Sequence, residues 1–324
     1  MRNDCLNVWK GIAAFFIVWI HCRFPGQAGK FIEGLARFAV PLFFMISGYF
    51  SRGKNPGVIG RRFRSTLRMY LTASAVYFLW RLVMLYREGS LSWEAAGSMF
   101  SMKALGELIL WNRSPFAYHL WYLGALLYCY LFYGLLVRFQ KEESFYVLIP
   151  LCLGANLVLG EGGHILQLHV PTAFVRNFWL TGLPFFLLGH WLAGRKAGIE
   201  ASGRTGLYLA AGGICLTVAE TLLFGKAELY LGSVLLGTGL FVTAVRNPGF
   251  GRGSLPAHIG EKDSRHIYLW HVILYQFTSS LAACLGIRGY KVYQWLVPLW
   301  VCLASWMLAE ILERRKRYEQ RHMG

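Results

Sequence analysis

The 324-residue sequence is short of acidic side chains and of long polar stretches: Asp and Glu number 16 against 33 Lys and Arg, and charged residues reach only 15%. A soluble chain carries about 25% charged residues, so one large or two medium soluble domains are excluded. No P-loop, GxSxG or HExxH occurs, and the Gly-rich "AGGIC" lacks the strand and helix that a phosphate-binding loop requires. The seven cysteines (Cys5, Cys22, Cys129, Cys152, Cys215, Cys284, Cys302) form no CxxC and no metal-like spacing. They read as small apolar residues, and no metal is expected. Internal repeats and low-complexity tracts are missing too.

What is present is apolar. Hydrophobic residues make up 56% and aromatics 16%, and the mean hydropathy is +0.42. That is the balance of a membrane protein, whose spanning helices need about 20 mainly apolar residues each. Ten stretches qualify: roughly 8–22, 34–51, 66–86, 117–138, 144–160, 173–194, 205–223, 229–245, 265–285 and 292–313. The first lacks an A-x-A exit, Ile20-His21-Cys22 standing there, and so reads as an uncleaved helix.

Most of the 33 basic residues fall in the linkers on the side of the two termini, including Arg2, Arg52, Lys54, the cluster Arg61, Arg62, Arg64 and Arg68, and the tail from Arg314 to Arg321. The positive-inside rule makes that side cytoplasmic. The net charge of +17 therefore reports orientation, and nucleic acid is not an expected partner. The fold class expected is an all-α polytopic membrane protein, a single domain of about ten transmembrane helices around a central cavity with both termini cytoplasmic. Linker 87–116 is expected to carry short interfacial helices, and the basic stretch from Asn55 to Arg68 to lie on the membrane surface.

Several ionisable and aromatic residues interrupt this pattern. Lys10 and His21 lie eleven residues apart, which at about 100° per residue puts them on one helix face, ~16 Å apart along the axis. Lys10 falls near the cytoplasmic surface and His21 near the outer one. A snorkelling lysine and an interfacial histidine would explain them blandly; an ionisable pair inside a membrane is otherwise a functional-site hypothesis. In "ARFAVPLFFMISGYFSR", Arg37 lies at the outer end, Tyr49 near the inner end, and Pro41 removes a backbone donor between them. "YHLWYLGALLY" places His119, Trp121 and Tyr122 at the outer boundary, where an aromatic belt accounts for the last two. "DSRHIYLWHVILY" puts His271 about six residues, or ~9 Å, inside the cytoplasmic start of its helix. The arginines between 61 and 68 serve topology and also suit a phosphate-rich ligand.

Taken in order, "LNVWKGIAAFFIVWIH", "RFAVPLFFMISGYF", "RRFR", "HLWYLGALLY" and "DSRHIYLWHVILY" resemble the membrane acyltransferase 3 family from about residue 3 to 285. The resemblance implies ten transmembrane helices in the plasma (inner) membrane and transfer of an acyl group, commonly acetyl, from cytoplasmic acyl-CoA. The implied acceptor is a hydroxyl of a glycan or lipid-linked saccharide. By position, His21 matches the family's essential first-helix histidine, Arg61 and Arg64 its R-x-x-R pair, and His119 and His271 less invariant polar positions. Asn7 stands where the family usually has Asp, and Lys10 where it usually has Arg.

The expected site follows from both lines. Lys10, Arg61, Arg62, Arg64 and Arg68, with His271 on the cavity wall, would meet acetyl-CoA. His21 would act as general base or be acylated itself, and Arg37 or His119 would stabilise the oxyanion or orient the acceptor. Trp121, Tyr122 and Tyr49 would contact the acceptor. The competing classes are a small-molecule transporter on the same membrane fold, and a structural membrane protein that tolerates substitution at Lys10, His21 and Arg37.

Overall fold

In the computed structural model, residues 3–166, 168 and 170–322 are described, except the side chains of His164 and Arg321; Arg2, used above for orientation, lies outside them. Among the described residues there is no strand. Ten principal helical segments follow one another: α1 Asp4–His21, α2 Gly26–Tyr49, α3 Pro56–Arg87, α4 Tyr118–Phe139, α5 Glu143–Gly162, α6 Phe178–Ala193 and α7 Thr205–Phe224, then α8 Leu231–Arg246, α9 Ser264–Cys284 and α10 Lys291–His322. Each overlaps one of the ten stretches read from the sequence. Six of them, α2, α3, α4, α5, α7 and α10, are long and apolar enough to cross a membrane, while α6 and α8 are shorter apolar helices. Linker 87–116 does fold into two short helices, Trp93–Ser98 and Met102–Trp111, with Trp93 and Met102 exposed.

The boundaries depart from the sequence reading where local chemistry overrides hydropathy. The basic stretch after Asn55 is no separate surface segment but the opening of α3, a single helix of 32 residues, about 48 Å long at 1.5 Å per residue. Asn55 caps it, its side chain accepting from the Val58 amide at 2.9 Å, and Pro56 fits the first turn, where no donor is needed. α2 begins earlier than expected and tightens into a 3₁₀ turn at Ala36–Phe38. Pro41 has no N–H to give the carbonyl of residue 37, so the α-helical ladder fails there and Arg37 sits on the break.

The chain groups into two compact units, residues 1–43 with 196–324, and 44–195, the boundary falling inside α2. In the first unit, α7 pairs with α8 and α9 with α10, and α1 packs on α9 and on the segment 255–263 leading into it. Its core includes Ala14 and Val18 of α1, Cys22 just past its end, Ile267 of α9 and Val297, Val301 and Cys302 of α10, with Trp19 and Tyr275 against them. The 14, 18, 22 spacing is one turn per step and defines the inward stripe of α1.

In the second unit, α3 packs on α4, and α6 contacts α4 and α5. α2 and α6 approach through glycines: a Cβ on Gly48 would lie 1.8 Å from the Phe186 carbonyl oxygen, and one on Gly189 would lie 1.9 Å from that of Met45. Small residues at such crossings let helix backbones meet. Gly48→Ala is expected to cost about 1–3 kcal/mol by overpacking. A lowered unfolding midpoint in detergent, by differential scanning fluorimetry, checks it. All seven cysteines are free thiols.

Candidate active site

The first unit brings together two of the expected residues that the sequence reading had placed at opposite membrane depths. The His21 and His271 rings stack, centroids 5.1 Å apart and planes 27° apart. His271 lies seven residues inside α9, close to the six expected, and the new finding is its stacking on His21. Helical structure begins at Leu255 and runs through a π-turn at Ile259–Asp263 directly into α9, so α9 continues a longer helical run beside α1. The two helical runs are levelled by a glycine contact. A Cβ on Gly11 would lie 2.3 Å from the Pro256 oxygen, and one on Gly260 would lie 1.8 Å from the Asn7 oxygen. From there the histidines follow ten residues after Gly11 and eleven after Gly260.

His271 is fully buried. Its Nδ1 lies 3.1 Å from the Ile267 carbonyl and 2.8 Å from that of Tyr268. Both partners are acceptors, so Nδ1 carries a hydrogen and the ring orientation is fixed. His21, the last residue of α1, is half-buried and so remains reachable. Lys10, half-buried on the same face, has Arg265 and Glu261 as its charged neighbours.

Arg37 is not the snorkelling cation that its place at a helix end allowed. It is buried and held by two carboxylates, Nη2 to Glu33 at 2.8 Å and Nη1 to Glu228 at 2.9 Å. Glu33 also meets Arg23 at 3.1 Å and Lys226 at 3.2 Å. Sequence reasoning missed Glu33 as a partner although the signal was there: it precedes Arg37 by four residues, one helical turn.

The second unit holds the rest. Arg61, Arg64 and Arg68 are exposed along α3, and their spacing of three and four residues puts them in one stripe. Arg62 is rotated away and gives its Nη1 to Ser51 Oγ at 3.0 Å, which separates it from that stripe. His119 is buried with its ring edge-on to Tyr77, centroids 4.9 Å apart. Trp121 and Tyr122 are buried as well, against Phe44 at 6.1 and 4.7 Å, and the Arg176 guanidinium lies 6.0 Å from the Trp121 ring. A surface aromatic belt would leave them exposed; packing around Phe44 pulls them inward instead. Tyr49 is half-buried beside Phe50, ring centroids 5.2 Å apart.

This unit also contains a polar relay that the sequence reading did not single out. Tyr133 donates its hydroxyl to the Ser51 carbonyl at 3.1 Å and so accepts from His190 Nε2 at 3.0 Å. Tyr146 donates to His190 Nδ1 at 2.8 Å and accepts from Arg52 at 2.7 Å, and Arg52 completes the chain on Glu143 at 2.7 Å. Every member is satisfied, which makes such a network rigid. It fixes residues 51 and 52, and through Ser51 it fixes Arg62 next to the arginine stripe. The sequence signal was the "SGYFSR" end of α2, whose final arginine was counted only for topology.

A helical membrane protein with a reachable histidine at the end of its first helix and an arginine stripe on its third is the class these features define. A family model described as an acyltransferase domain matches residues 3–309, and the chain belongs to that family. The chain is also 27% identical over 286 residues to a protein of Enterococcus gallinarum named serine/alanine racemase. That alignment covers 86% of this chain and 37% of the racemase, so the similarity spans little more than a third of that protein. No solved structure matches.

Proposed function

We propose that this protein moves an acyl group, most simply acetyl, from cytoplasmic acyl-CoA to a hydroxyl of a glycan or lipid-linked saccharide at the outer face of the inner membrane. The reading takes both termini as cytoplasmic, on the strength of the basic linkers. The observation that carries it is the family match over nearly the whole chain together with the reachable His21 stacked on a buried, orientation-fixed His271.

In this reading Arg61, Arg64 and Arg68 take the donor's phosphates, their forks suiting bidentate contacts. Lys10 adds charge at the cytoplasmic end of α1. His21 removes the acceptor proton or carries the acyl group itself. His271 holds the His21 ring in place. Arg62 supports the stripe through Ser51, and Arg37 is assigned to holding the α2 break rather than to the oxyanion. His119, Trp121 and Tyr122 shape the interior of their unit.

Incubation of proteoliposomes with labelled acetyl-CoA tests this: label should appear on lipid-linked or polymeric saccharide. Arg61→Ala and Arg64→Ala are expected to raise the KM for acyl-CoA by about tenfold or more each, since a hydrogen bond to a charged group contributes ~1.5–3 kcal/mol. An unchanged KM in both variants would remove the stripe from the donor site.

A second reading, a small-molecule permease, takes its support from the relative named for a serine and alanine reaction. It predicts uptake of labelled serine or alanine into proteoliposomes with no acyl transfer at all.

A further inference from the structure

Outside the residues used above, the first unit holds a compact set of donors where the segment leading into α9 meets α10. His258 Nε2 lies 2.8 Å from Glu310 Oε1 and 3.9 Å from Asp263 Oδ2. One ligand atom from each of the three residues lies within 4.8 Å of the other two. Cysteine spacing gives no sign of a metal, whereas this set joins residues 258, 263 and 310.

Asp263 is the member that ordinary ion pairing leaves unexplained. Its side chain is 0% exposed. Oδ2 receives one hydrogen bond, from Trp306 Nε1 at 3.2 Å, and Oδ1 is buried with no hydrogen-bond partner. A buried carboxylate with a single neutral donor is costly unless a cation compensates it. Among the described residues, the one basic side chain within 4 Å of it is His258, and that imidazole is already directed to Glu310. Arg314 engages the far oxygen of Glu310, Oε2, at 3.2 Å, which leaves Oε1 facing inward with His258 Nε2.

We propose that His258, Asp263 and Glu310 bind one first-row divalent cation, with zinc the best match. One imidazole nitrogen and two carboxylate oxygens suit zinc or manganese, whereas magnesium and calcium favour oxygen alone. A tetrahedral zinc about 2.1 Å from each donor needs them roughly 3.4 Å apart. The 2.8 Å pair would open and the wider separations would close by side-chain rotation. Three protein donors leave one position for water, and His258, 39% exposed, gives the ion a way in. The ion would fasten the segment 255–263, on which Gly11 of α1 packs, to α10. The inference stands independently of the acyl-transfer reading.

The test uses the full-length protein in detergent, purified through a tag without histidines, stripped with EDTA and dialysed against zinc chloride. Elemental analysis should find one zinc per chain, and zinc should raise the unfolding midpoint of the stripped protein. Cobalt in its place should give visible d–d absorption. Asp263→Asn and His258→Gln should each lower bound zinc at least fivefold and abolish the cobalt spectrum. His258→Gln alters a partly exposed side chain and keeps the comparison valid if Asp263→Asn fails to fold. Stripped wild-type protein that takes up no more zinc than His258→Gln, with a midpoint indifferent to zinc, would overturn the proposal and leave His258 as a hydrogen-bond partner of Glu310.

Discussion

Replacing His21 by alanine is expected to lower acyl transfer by about 10²–10⁴-fold, the range a positioned general base contributes, while the protein stays folded. The side chain is half-buried at the last residue of α1, and its loss leaves the core contacts of Ala14, Val18 and the adjacent Cys22 intact. Transfer from labelled acetyl-CoA, normalised to the amount of folded protein in size-exclusion chromatography, gives the measurement. Activity within threefold of wild type would remove His21 from the reaction. Rapid quenching separates the two roles left open: label retained on the denatured wild-type protein means an acyl-histidine, and its absence during turnover means general base catalysis.

Arg37→Ala is expected to destabilise the protein by about 3 kcal/mol, near the lower end for removing one partner of a buried ion pair. The lower end applies because Glu33 keeps Arg23 and Lys226, while Glu228 loses Arg37 as its partner. Thermal or denaturant unfolding in detergent shows the loss. Adding Glu228→Gln should recover part of it, because it removes the carboxylate charge that Arg37 balances. A catalytic Arg37 would behave otherwise: the unfolding midpoint would hold, kcat would fall, and Glu228→Gln would restore nothing. The two outcomes decide whether the sequence reading of Arg37 as an oxyanion group survives.

The helices were legible because lipid imposes a simple demand, and ten apolar stretches became ten helical segments. What hydropathy could not see was capping and backbone geometry. Asn55 and Pro56 start α3 well before its apolar part, and the missing Pro41 donor sets the break at Arg37. Hydropathy also missed the π-turn at 259–263, which joins the preceding helical turn to α9. His21 was visible as an ionisable group closing an apolar run. Its partner was visible as a residue but not as a neighbour. Glu33, His190 and Asp263 escaped because each acquires meaning only from residues distant in sequence, or, for Glu33, from a turn that looked like a loop.

The contact of Gly11 with the segment around Gly260 has one more consequence. It works as a zero mark from which two parallel rods are measured, and the histidines meet because both are cut to nearly the same length. Point substitutions between the mark and either ring leave that length alone. A one-residue insertion in one rod would carry its histidine about 1.5 Å along and turn it by about 100°, so the pair is exposed to insertions and deletions in a way that its individual side chains are not. A matched insertion in both rods should restore the axial level but leave both rings turned, which separates depth from direction as requirements of the site.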